Sequence, residues 1–122
     1  MKRVTGIGGI FFKAKDPKAL GEWYRKHLGV EVTPWGGAKF KSEEGGVTVW
    51  TPFKEDTKYF APSTAPFMIN YRVDDLVALI AVLKEEGVEV EGDGADSEYG
   101  RFAWVVDPEG NKAELWQPPA AQ

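Results

Sequence analysis

The chain has 122 residues, 19 acidic against 15 basic side chains, a formal net charge of −4 and no cysteine. Disulfides, thiolate metal sites and thiol catalysis are therefore excluded. The scattered basic residues argue against a nucleic-acid partner, which would need them concentrated.

A hydrophobic fraction of 43% supports one core at this length and leaves little room for two. No apolar run is long enough to span a bilayer, and no signal-peptide pattern opens the chain. The expectation is a cytoplasmic domain without membrane association.

In chain order, Ile10, Phe12 and Ala14 alternate as one face of a half-buried strand. Asp16 then offers a side-chain oxygen to cap a helix, and Pro17 stands at the first helical position, where its missing N–H costs nothing. Leu20, Trp23, Tyr24 and Leu28 share one helix face, and Gly29 is the expected left-handed stop. Short strands are expected at about Val30–Thr33, Ala38–Lys41 and Val47–Thr51. The segment Phe53–Pro66 has no periodicity and reads as a connector.

The same signals then return. Ile69, Tyr71 and Val73 alternate, Asp75 caps, and Leu76, Leu79, Ile80 and Leu83 share a helix face before Gly87. Strands are expected at about Val88–Glu91, Arg101–Val106 and Ala113–Gln117. Asp107-Pro-Glu-Gly-Asn111 forms the hairpin turn before the last of them. Ile10–Leu20 overlays Ile69–Leu79 without a gap, and both helices lead into Gly-Val-Glu-Val, at 29–32 and 87–90.

The fold expected is one α+β domain over 1–122, built from two tandem βαβββ modules at about 5–52 and 67–118, with the connector at 53–66. Curved mixed sheets would enclose a cleft, with the helices outside.

The runs Lys15–Leu20, Trp23-Tyr24, Leu28-Gly29, Arg72–Asp75 and above all Tyr99–Leu115 resemble the vicinal oxygen chelate superfamily. That superfamily holds glyoxalase, bleomycin-resistance and extradiol dioxygenase proteins. The resemblance spans about Ile7 to Pro118.

It implies four metal-ligand positions, one on the first and one on the last strand of each module. Here they hold Gly9, Thr48, Met68 and Glu114. One carboxylate beside a thioether and a hydroxyl lacks the donors for a divalent transition ion, so no metal and no cofactor is expected. His27, the single histidine, is expected at the carbonyl end of the first helix, partly solvated. Gly92–Glu98 is acidic without calcium-loop spacing and reads as a mobile solvated loop.

Strand alternation places Gly9, Phe11 and Lys13 on the concave side, with Met68, Asn70 and Arg72 matching them from the second module. The last strands add Thr48 and Trp50, then Glu114 and Trp116. The candidate ligand-binding residues are Phe11, Lys13, Trp50, Met68, Asn70, Arg72, Trp104 and Trp116, and Glu114 is the candidate catalytic carboxylate.

Trp50 and Trp116 serve either as cleft wall or as core between modules. Lys13 and Arg72 serve either as ligand contacts or as a solvated rim. Glu114 must pair, stay hydrated or take a raised pKa, and Arg72 or Lys13 is available as its partner. The aromatics of Phe53–Phe60 either pack on the sheet edge or form a lid or subunit contact. The resemblance implies a homodimer.

Two functional expectations follow. The first is a small-molecule binding protein without the usual metal site, similar to the bleomycin-resistance branch. The second is a metal-independent glyoxalase-like lyase or isomerase, in which Glu114 is the general base and Lys13, Asn70 or Arg72 stabilises an oxyanion. A third, purely structural or regulatory role would predict a cleft closed by side chains.

Overall fold

Two aspartates start the two helices. In the computed structural model, Asp16 accepts the Ala19 backbone N–H at 3.0 Å and opens α1 (Pro17–Leu28). Asp75 accepts from Ala78 at 3.2 Å and opens α2 (Leu76–Glu85). Each side chain satisfies a donor that has no partner inside its helix. Gly29 ends α1 with φ +66° and returns its N–H to the Tyr24 carbonyl. The structure describes residues 10, 12, 14–34, 36–41, 48, 49, 51 and 53–120.

Three strands form the sheet: β1 (Ile69–Arg72), β2 (Arg101–Val106) and β3 (Lys112–Gln117). Their spatial order is β1-β3-β2, with β1 parallel and β2 antiparallel to the central β3. A parallel neighbour requires a crossover, and α2 supplies it. Period-2 alternation sends Ala113 and Leu115 of β3, with Ala103 and Val105 of β2, towards Leu76, Ile80 and Leu83 of α2. Leu76, Leu83 and Leu115 are fully buried, each worth about 1.5–3 kcal/mol of transfer free energy.

Helix α1 reaches this core through Trp23 and Leu28. Its Tyr24 hydroxyl donates to buried Asp107 at 2.8 Å, and burial, then the neighbouring Tyr71, pushes that phenol's pKa well up. Glu109, in the β2–β3 turn, accepts the N–H groups of Lys15 and Asp16 at 2.6 and 3.0 Å.

Gly100 has no substitute before β2. Its φ is +103°, and an added Cβ would stand 2.3 Å from the Gln117 carbonyl oxygen.

The structure changes several expectations. Residues 30–33 and 38–41 form no strand; instead the Thr33 N–H and Oγ1 both donate to Gly37 O, at 2.8 and 2.9 Å, closing a tight turn. Of the strand expected at Val47–Thr51, Val47 and Trp50 lie outside the described residues. Ile10 and Phe12, expected on the inner face of a half-buried strand, are 57% and 41% exposed.

The expected strand at Val88–Glu91 contributes one isolated bridge, Glu91 to Trp104. His27 is more engaged than a solvated helix end. Its Nδ1 lies 2.9 Å from Glu86 Oε1, and its ring packs on Trp23. The 92–98 loop is solvated at its acids yet pinned at Gly94, which is buried against Ile80 and accepts from Arg101 at 2.8 Å.

Candidate functional site

The alternation that buries Ala113 and Leu115 sends Lys112, Glu114 and Trp116 to the other face of β3. Register completes the rows. Glu114 stands between Asn70 of β1 and Trp104 of β2, and Trp116 stands between Arg72 and Phe102.

Glu114 is the centre of this face and is only 8% exposed. Its Oε1 accepts from Asn70 Nδ2 at 2.7 Å, and its Oε2 from Trp104 Nε1 at 2.9 Å and from the Tyr59 hydroxyl. Asn70, Trp104 and Tyr59, all neutral donors, thus hold the carboxylate; Lys13, one of the two partners the sequence offered, lies outside the described residues. Such bonds to an ionised acceptor contribute about 1.5–3 kcal/mol each.

Tyr59 comes from the connector. Burial, and then the bond to Glu114, pushes its phenol pKa up, so the hydroxyl keeps its proton and donates.

Lys112 shares the face. Its Nζ donates to the Tyr59 carbonyl at 2.7 Å and lies 5.4 Å from the ring centroids of both Tyr59 and Trp104. A cation at that range is attracted to the π faces. Its carboxylate contact, Glu91, is 3.8 Å away.

Beside these groups runs an aromatic surface. Phe102 lies near-parallel to Trp104 and to Trp116, at interplanar angles of 13° and 16°. Trp116 is thus half-buried on the open face rather than in the core, and its indole N–H donates to Tyr99 O at 2.9 Å.

A groove of about 580 Å³ adjoins this face. The ladder between residues 88–91 and β2 stops at the Glu91–Trp104 bridge, and the gap beyond it is walled by Trp23 and His27 of α1. Trp104 and Lys112 line its inner end. That volume is in the range of small-molecule sites.

Of the residues singled out in the sequence, Glu114, Asn70 and Trp104 meet directly. Arg72 and Trp116 lie one row along. Met68 is half-buried just ahead of β1, and Thr48 is exposed. Phe11, Lys13 and Trp50, with Gly9, lie outside the described residues.

Sequence reasoning missed Lys112, and it named Tyr59 only as one of the Phe53–Phe60 aromatics, not as a partner of Glu114. Lys112 has the same strand parity as Glu114 and was within reach of that argument. The connector around Tyr59 has no period to read.

The fold has counterparts among known proteins. TnmS3, an antibiotic binding protein from Streptomyces sp. CB03234, superposes with a TM-score of 0.62 at 19% identity, covering 98% of this chain and 100% of that one. A glyoxalase/dioxygenase from Nostoc punctiforme gives 0.57 at 18% identity, covering 98% and 99%. The oxidase ChaP-H2 gives 0.53 at 19% identity, covering 89% and 90%.

At such identities the likeness speaks for the fold alone. No curated protein matches the chain. The model of the glyoxalase-like domain, however, matches residues 9–116, so this chain belongs to the glyoxalase-like domain family.

Proposed function

We propose that the domain captures a small aromatic or amphipathic molecule in its cleft, without metal-dependent chemistry. One observation carries this reading: a buried carboxylate, supplied with neutral donors, sits beside an apolar aromatic surface. Ligand sites are built this way, mostly apolar with a few placed polar groups. The antibiotic-binding function of TnmS3 supports the same direction.

The residues at the described positions fit a divalent transition ion poorly. Met68 offers a soft thioether and Thr48 a weak hydroxyl, while both Glu114 oxygens already accept hydrogen bonds. Among the described residues, no three His, Asp or Glu side chains are grouped to hold an ion.

The general-base alternative is disfavoured by the same bonds. Oε2 accepts two donors, and Oε1 keeps one lone pair for a substrate proton.

The proposal includes the two-module plan, with halves at about 5–52 and 67–118 in one domain. The gapless repeat supports it, as does the coverage of TnmS3 end to end. It also includes a homodimer in the cytoplasm. Phe40 and Val49, 73% and 67% exposed, are the kind of apolar surface a second copy covers.

A thermal-shift screen of aromatic and amphipathic compounds tests the reading. A concentration-dependent rise in Tm that survives EDTA supports it, since a ligand that binds only the native state stabilises by mass action. Stoichiometric uptake of Zn²⁺, Ni²⁺, Mn²⁺ or Fe²⁺, lost in Glu114→Gln, would overturn it.

A further inference from the structure

Tyr59 occupies the cleft in the way a bound molecule would. Its hydroxyl donates to Glu114, its ring meets Trp104 edge-on at 6.0 Å, and the Lys112 ammonium lies 5.4 Å from its centroid. The acceptor, the aromatic wall and the cation all belong to the sheet. The bond to Glu114 and the ring contacts do not depend on the phenol's being attached to the chain; the Lys112 bond to the Tyr59 carbonyl does.

The segment that carries Tyr59 is held together by its own contacts. Its turns close on themselves through Thr57 N–H to Lys54 O at 3.0 Å, Ala61 N–H to Lys58 O at 3.1 Å and Ser63 N–H to Phe60 O at 2.9 Å. Phe53, Tyr59 and Phe60 pack on one another, with Phe53 at 5.5 and 5.2 Å from the other two rings. Two hydrogen bonds through Tyr59, from its hydroxyl to Glu114 and from Lys112 to its carbonyl, fasten the segment to the sheet. Local opening of such a unit breaks few contacts.

We propose that the cleft selects hydroxyaryl ligands, the ligand's phenol taking the place of the Tyr59 side chain while residues 53–63 swing aside. This rests on the reading of the cleft as a small-molecule site. Glu114 is the selective element, because an acceptor stripped of its hydroxyl donor is left undersatisfied and the site rejects the analogue that lacks it. The Phe102 and Trp116 rings, one row along, extend the apolar surface for a larger aromatic body. Tyr59 competes with any such ligand, so the apparent affinity of the intact protein is reduced by the fraction of time the site is self-occupied.

The test uses p-cresol, 4-methylanisole and toluene, three probes alike in shape that differ in whether they donate a hydrogen bond. They are titrated calorimetrically into the full-length wild type and Tyr59→Ala. Tyr59→Ala is expected to bind p-cresol at least about tenfold more tightly than either other probe, and about tenfold more tightly than wild type does. In the wild type, saturating p-cresol is expected to speed amide exchange in residues 53–63.

Equal affinity of Tyr59→Ala for the three probes would mean that a hole has merely been filled, and would overturn the proposal. No uptake of p-cresol by that variant would overturn it as well. Should Tyr59→Ala not fold, Tyr59→Phe keeps the ring and frees the Glu114 acceptor. It must then bind p-cresol more tightly than wild type, and an unchanged affinity overturns the proposal. If the thermal-shift screen finds ligands without hydroxyl groups while p-cresol shows no preference, this inference fails and the small-molecule reading stands.

Discussion

The two halves of the molecule carry closely similar local signals and meet different ends. Each has a capping aspartate, an amphipathic helix, a glycine stop and the phrase Gly-Val-Glu-Val. Among the described residues the ladder lies in the second half, and the main buried cluster, Leu76, Ile80, Leu83, Ala103, Val105, Ala113 and Leu115, comes from β2, β3 and α2, with Leu20 and Tyr24 buried in the first half. The first half contributes a helix, and its described 30–33 and 38–41 segments stay unpaired.

A helix is decided by near neighbours in sequence, whereas a strand exists only if its partner is in place. Among the described residues the repeated helix signals give α1 and α2, while the paired strands described lie in the second half.

The comparison breaks most sharply at Leu83. It is fully buried, and Leu83→Ala should cost about 2–5 kcal/mol in urea unfolding, whereas Phe40→Ala, at an exposed first-half position, should cost under about 0.5 kcal/mol. Similar losses at the two positions would mean that Phe40 is covered, by a core of the first half or by a second copy.

Next comes the join between the halves. Tyr24→Phe leaves buried Asp107 short of one donor and should cost about 1–3 kcal/mol by the same measurement. Asp107 keeps Asn111 and the Glu109 N–H as partners, which places the loss towards the lower end.

Asp75→Ala removes the α2 cap and should cost about 1 kcal/mol. Asp16→Ala should cost no more, since α1 buries less against the sheet.

Alkaline titration sharpens the same contrast. The phenols of Tyr24, Tyr71 and Tyr59 all have pKa values raised above 10.0, chiefly by burial. Below pH 10 both states hold these protons. Above it the unfolded chain releases them first, so stability should fall as pH rises further. Tyr24→Phe should flatten that fall in urea midpoints measured between pH 9 and about 11. An unchanged slope would show that the Tyr24 phenol is not held protonated by the fold.

Much of the second half was legible because period-2 alternation is a direct reading of which side chains share a face. Arg101–Val106 came out residue for residue, and β3 began one residue early because Lys112 pairs with Val106. Parity also put Asn70 and Glu114 on the open face. What parity cannot supply is register, and it was register that set Glu114 between Asn70 and Trp104.

Tyr59 was named among the connector aromatics, but its contact with Glu114 was out of reach for another reason. Its position follows from how an aperiodic connector folds back over the sheet. Charge pointed to Arg72 or Lys13 as partner of the carboxylate, yet among the described residues the donors to Glu114 are neutral groups with the right reach.

The Glu109 side chain has a consequence for the order of assembly. It receives two amide protons from Lys15 and Asp16, more than ninety positions earlier in the chain. A contact of such sequence separation is entropically dear until the intervening chain has condensed. The tip of the last hairpin thus serves as the berth at which the opening helix moors, and that helix should take its final orientation late, after the hairpin has closed.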